Sequence, residues 1–120
     1  MVKRVMIVDD SKFMRIVLKD IINAIPGFEV VAEVDDGGKA IEAYKKNRPD
    51  IVTMDIVMPT SGIEAIKQIK AFDPNAKVVM ITAMGEEKML MQEAVAAGAS
   101  GKYITKPFKQ EEVREVLNNI

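Results

Sequence analysis

Five polar residues stand at the ends of short apolar runs. Asp9 and Asp10 follow Val5–Val8, Asp55 follows Ile51–Met54, Thr82 follows Val78–Ile81, and Lys106 follows Tyr103–Thr105. Three carboxylates, a hydroxyl and an ammonium group are a set with definite chemistry if the chain brings them together. Two carboxylates about 4 Å apart at an effective dielectric of about 20 repel by roughly 4 kcal/mol, so three in one place need a cation. All-oxygen ligands, retained waters and the company of a phosphate point to magnesium. A phosphoryl group carried on Asp55 would then meet the metal, the Lys106 ammonium and the Thr82 hydroxyl, which is the charge neutralisation that phosphoryl transfer requires. Each residue has an ordinary alternative. Asp10 or Ser11 suits a helix N-cap, Asp55 a turn, Thr82 a strand interior, and Lys106 a solvated loop entry. Chance placement of all five at strand ends is the harder explanation.

The elements that must position them read as a fivefold alternation. Strands are predicted at Val5–Val8, Val30–Ala32, Ile51–Met54, Val78–Ile81 and Tyr103–Thr105. Phe13, Met14, Val17, Leu18, Ile21, Ile22 and Ile25 recur at helical spacing until Pro26-Gly27 stops them. Further helices are predicted over Lys39–Lys46, Ile63–Ala71, Glu86–Ala97 and Gln110–Asn119, with Gly98 closing the fourth and Glu111-Glu112 favouring the N-terminus of the fifth. Strands that are apolar throughout, separated by helices, imply a parallel sheet covered on both faces, an α/β doubly wound architecture. In such a sheet the working crevice lies outside the carboxyl ends of the strands, where the five residues sit.

Composition narrows the chemistry further. A chain of 120 residues fits one domain over 1–120, with no separate output domain expected. Seventeen basic residues against 18 acidic ones make no basic field for nucleic acid. The absence of Cys and His removes disulfides, the usual zinc ligands and the Ser-His or Cys-His pairs of covalent catalysis. Four apolar residues after Arg4 are too few for a signal-peptide core or a membrane span, so a cytoplasmic monomer without membrane attachment is expected.

The segments VMIVDDSKFMR, DIVTMDIVMP, VVMITAMG and YITKPF, in this order across nearly the whole chain, resemble the two-component response-regulator receiver domain, above all its single-domain chemotaxis type. The resemblance implies a flavodoxin-like fold with five strands in the order 2-1-3-4-5 and five helices. It implies that Asp55 takes a phosphoryl group from a histidine kinase, and that Mg2+ is held by Asp10, Asp55 and the Val57 carbonyl, with Asp9 acting largely through water. Lys106 would contact the phosphoryl group, Thr82 would swing toward it, and Tyr103 would be the switch aromatic that reports Thr82 to the surface of the fourth helix, fifth strand and fifth helix. The implied partners are a chemotaxis-type kinase, a phosphatase, and a flagellar motor switch protein or an archaeal adaptor to the archaellum. The chain itself is expected to catalyse only its own phosphorylation and dephosphorylation. The Lys106-Pro107 bond is cis in this family, against a general frequency of about 5–6% for such bonds. Having no His, the chain cannot carry a phosphohistidine, so its donor must be another molecule.

Some positions depart from the family pattern. The stretch Thr60-Ser61-Gly62 after Met58-Pro59 is one residue short, and one residue is added near Ser100-Gly101-Lys102. Val57 and Met84, two residues beyond Asp55 and Thr82, have no group to orient a water, which predicts slow autodephosphorylation. Among the methionines near the fourth helix, Met84, Met89 and Met91, the phase singles out Met91 for exposure on a docking face with Tyr103. Asp35-Asp36-Gly37-Gly38 reads as a turn opening the second helix, since adjacent acids repel phosphate. Competing functions include a receiver in another phosphorelay and a magnesium-dependent aspartyl phosphohydrolase. The hydrolase would carry a second Asp where Val57 stands. A flavin or nucleotide carrier would need a glycine-rich cradle where Asp-Asp-Ser-Lys stands.

Overall fold

Valine, isoleucine and methionine crowd the predicted strands, and in the computed structural model these segments form one parallel sheet. The structure describes residues 2–57, 62–83 and 88–120. Five strands, β1 (Lys3–Val8), β2 (Phe28–Val34), β3 (Ile51–Asp55), β4 (Val78–Ala83) and β5 (Tyr103–Lys106), lie in the order β2-β1-β3-β4-β5. Five α-helices connect or follow them: α1 (Lys12–Asn23), α2 (Ala40–Asn47), α3 (Gly62–Phe72), α4 (Lys88–Ala96) and α5 (Gln110–Asn118). Both the architecture and the strand order expected for this chain are present.

Helices on both faces explain why the buried stretches of the inner strands are apolar on both sides of the sheet instead of alternating. Met6, Val8, Met54 and Met80 pack with Ile66, Ile69 and Ala94 on the side of α3 and α4. Val5, Ile7, Ile81 and Ile104 pack with Leu18, Ile22, Val113 and Leu117 on the side of α1 and α5. Alternate residues of one strand thus enter opposite cores.

Local chemistry sets the helix ends. Ser11 caps α1, its hydroxyl accepting from the Met14 N–H at 3.3 Å, so Asp10 is left to the rim. The Asp36 carboxylate accepts from the Gly38 N–H at 2.9 Å and opens a 3-10 turn over Gly37–Lys39 that runs into α2, as the turn reading expected. Gly98 follows α4 with φ of +117°, a left-handed conformation that suits glycine at a helix end.

Two expectations are corrected. Phe13, read as part of the apolar face of α1, is 67% exposed, because Leu18 and Ile22 set the buried face and Phe13 falls on the opposite side of the helix. On α4, Met91 packs against the core and Met89 is 76% exposed. The phase there is set by buried Ala94, which brings Leu90 and Met91 inward and turns Met89 and Val95 out. The shortened segment after Pro59 and Met84 lie outside the described residues. Near Ser100, where an added residue is expected, the Ser100 hydroxyl accepts from the Lys102 N–H at 3.2 Å.

Candidate functional site

A parallel sheet points all its carboxyl ends one way, so the residues ending β1, β3, β4 and β5 meet at one rim. Asp9 follows β1 directly, Asp55 closes β3, Thr82 is the second-last residue of β4, and Lys106 closes β5. The register Asp55↔Ile81, Thr82↔Thr105 and Ala83↔Lys106 sets the last three on successive levels at the same end of the sheet. Carboxylate oxygens of Asp9, Asp10 and Asp55 all lie within 4.8 Å of one another. Asp9 and Asp55 are buried, at 1% and 3% exposure, whereas Asp10 is exposed.

Hydrogen bonds fix the two buried acids. One Asp9 oxygen, Oδ1, accepts from the Ser11 N–H at 2.9 Å. On Asp55, Oδ1 accepts from the Val57 N–H at 2.9 Å and Oδ2 from Lys106 Nζ at 3.0 Å. The Lys106 ammonium also lies 3.2 Å from Asp9 Oδ2, yet that buried oxygen takes no hydrogen bond. Lys106 thus bridges β1 and β3 from β5, and its bond to Pro107 is cis, as the resemblance implies. Thr82 is buried beside them, with its hydroxyl donating to the Ala83 carbonyl at 3.1 Å. Tyr103 stands exposed at the start of β5.

Burial pushes the Asp55 pKa up, and this outweighs the Val57 N–H and Lys106, which pull it down, while Asp9 adds to the rise. Burial also lowers the Lys106 pKa, but there the hydrogen bond and charge of Asp55, with help from Asp9, win and leave it raised. The result is a crowded acidic pocket held by one lysine. A divalent cation fits it: the donors are all oxygen, three carboxylates converge, and Asp9 Oδ2 lacks a hydrogen bond.

Two contributors were invisible to sequence periodicity. Arg15, on α1, donates from Nη1 to the Asp9 carbonyl at 2.7 Å and lies 3.5 Å from Glu33 of β2, so it braces the turn that carries the two acids. Glu112 was expected only as a helix-dipole partner, but its carboxylate reaches Thr105, next to Lys106. Neither has a signal beyond being a charged residue one or two turns from the rim.

A doubly wound sheet with an acidic rim fit for a cation and a lysine reaching it from the edge strand β5 suits a phosphoryl-handling signalling module better than a nucleotide cradle. Residues 5–118 match the model of the response regulator receiver domain, and the chain belongs to that family. It is 52% identical over 119 residues to the chemotaxis protein CheY of Thermotoga maritima, covering 98% of this chain and 97% of that one. It is 46% identical over 121 residues to the chemotaxis protein CheY of Halobacterium salinarum, covering 100% and 98%. Among solved structures it is similar to the CheX-CheY complex with BeF3 and Mg2+ of Borrelia burgdorferi, at 36% identity and a TM-score of 0.87, over 98% of this chain and 87% of that one. Membership makes this chain a phospho-accepting response regulator of the chemotaxis type. Among the described residues, no helix is long and apolar enough to cross a membrane.

Proposed function

We propose that Asp55 accepts a phosphoryl group from the phosphohistidine of a separate kinase. A carboxylate oxygen of Asp55 forms the new P–O bond as the P–N bond to the donor imidazole breaks. The observation that carries this reading is Lys106 Nζ, 3.0 Å from Asp55 and 3.2 Å from Asp9, at a rim where three carboxylates lie within 4.8 Å. Asp9, Asp10, Asp55 and the Val57 carbonyl would hold Mg2+, which supplies charge neutralisation for the incoming phosphate. Lys106 contributes a second fixed positive charge, and Thr82 a hydroxyl for the phosphoryl oxygens. Rearrangement of Thr82 is read out by Tyr103, exposed beside α5, and the altered face of α4, β5 and α5 binds a motor switch protein or adaptor with changed affinity. The names of the relatives favour chemotaxis over another phosphorelay, and the Borrelia complex, in which CheX accompanies CheY with BeF3 and Mg2+, supports a protein partner for this chain. Val57 where a hydrolase would carry its acid argues against continuous turnover.

Acetyl phosphate with Mg2+ tests this directly. A stable one-to-one label that disappears in Asp55→Asn is the expected result. Sustained release of phosphate over many turnovers, or a label that survives Asp55→Asn, would overturn it.

A further inference from the structure

One side chain reaches from α5 to the strand that carries Lys106. Glu112, in the first turn of α5, accepts at Oε1 from the Thr105 backbone N–H at 2.7 Å and from the Thr105 hydroxyl at 2.9 Å, with Oε2 3.2 Å from the same hydroxyl. β5 is an edge strand, paired among the described residues only with β4, and the Thr105 N–H finds its acceptor in a helix instead of another strand. The acceptor is a carboxylate at a helix N-terminus, where the helix dipole favours its charge, and bonds to an ionised acceptor are about twice as strong as neutral ones.

These bonds close the chain from Thr105 to Glu112 into a small ring, and Lys106 lies inside it. Lysine is a long flexible side chain with about 2 kcal/mol of rotamer entropy, so its aim depends on how firmly its backbone is held. We propose that Glu112 is a positioning residue for Lys106, acting through Thr105, and that it couples α5 to phosphoryl acceptance. This rests on the reading of Asp55 and Lys106 given above.

The test follows phosphorylation of the full chain by acetyl phosphate with Mg2+, alongside the 15N signal of the Lys106 ammonium in the unphosphorylated protein. Glu112→Ala is expected to slow phosphorylation about tenfold, the size of one charge-assisted hydrogen bond, and to shift the Lys106 signal. Thr105→Val, which keeps the N–H bond and loses the hydroxyl, should slow it about threefold. Thr105→Ser should restore the original rate. A Glu112→Ala chain that melts earlier yet phosphorylates at the original rate with an unmoved Lys106 signal reduces Glu112 to a structural staple and overturns the proposal, as does Thr105→Ser behaving like Thr105→Val. If the unsubstituted chain takes no label at Asp55, the receiver reading is what fails; if it labels and Glu112→Ala labels as fast, only the role of Glu112 falls.

Discussion

Asp55 is a carboxylate that the fold makes uncomfortable on purpose. Burial raises its pKa, and Lys106 and the Val57 N–H do not fully compensate. In the metal-free chain the folded state therefore holds this proton more tightly than the unfolded state does. A raised acid contributes stability that is present below its ordinary value of 3.8 and lost as pH rises through the folded value. Asp55→Asn removes that loss, while Lys106 keeps Asp9 as a partner at 3.2 Å. The expected outcome is a gain in stability at pH 7 in the presence of chelator, shrinking as the pH falls toward 3.8. Urea unfolding at the two pH values checks it, and a net loss at pH 7 would contradict the assignment of burial as the ruling influence. Val57 makes a second argument at the same scale. It is exposed beside the acceptor and offers only methyl groups, so no side chain there orients an attacking water. Val57→Asn with Met84→Glu should shorten the phosphoryl half-life about tenfold. An unchanged or longer half-life would count against slow autodephosphorylation in this chain.

Elements place these residues, and the tightest joint is between β3 and α3. Gly62 begins α3 against the end of β3, where a Cβ would run into the Asp55 carbonyl oxygen and come 3.2 Å from Ile56 Cα. Backbone cannot yield as a flexible side chain can. Gly62→Ala is thus expected to destabilise the chain by about 2 kcal/mol and to slow phosphorylation, whereas Gly101→Ala, with open space around it, should do neither. Chemical denaturation and acetyl phosphate labelling of the two variants make the comparison. The same scale shows what a linear reading can reach. Strand ends were legible because a parallel sheet requires apolar runs, and the polar residue that closes each run is visible at once. Helix faces were less so. In α4 the residue that turns inward is Ala94, too small to stand out among methionines, so Met89 and Met91 exchanged their expected places. Phe13 misled for the opposite reason, being large and next to Met14 yet on the far side of α1 from Leu18 and Ile22. Arg15 and Glu112 act on the rim from helices, through contacts that follow from how α1 and α5 cross the sheet and not from any spacing.

At the scale of the whole molecule, the rim exists only when the chain is folded, because Asp9 follows β1, Asp55 closes β3, and the two meet only when those strands pair. An ion that needs both binds the folded state alone, so its binding free energy adds to global stability. At a free Mg2+ concentration one hundred times the dissociation constant the gain should be about 2.7 kcal/mol. It should appear as a shift of the urea midpoint with an unchanged slope, since the surface exposed on unfolding does not change. Two features distinguish this from a general salt effect. The shift should be reversed by chelator at constant ionic strength, and it should be nearly absent in Asp10→Ala, whose exposed carboxylate contributes to the site but little to the core. Lys106→Met sharpens the argument by removing the resident cation: Asp9 and Asp55 then repel without a partner, so the metal-free chain should lose about 3 kcal/mol and the gain from Mg2+ should grow. Equal midpoint shifts in the unsubstituted chain and Asp10→Ala would place the ion elsewhere on the surface, and the acidic rim would lose its claim to it.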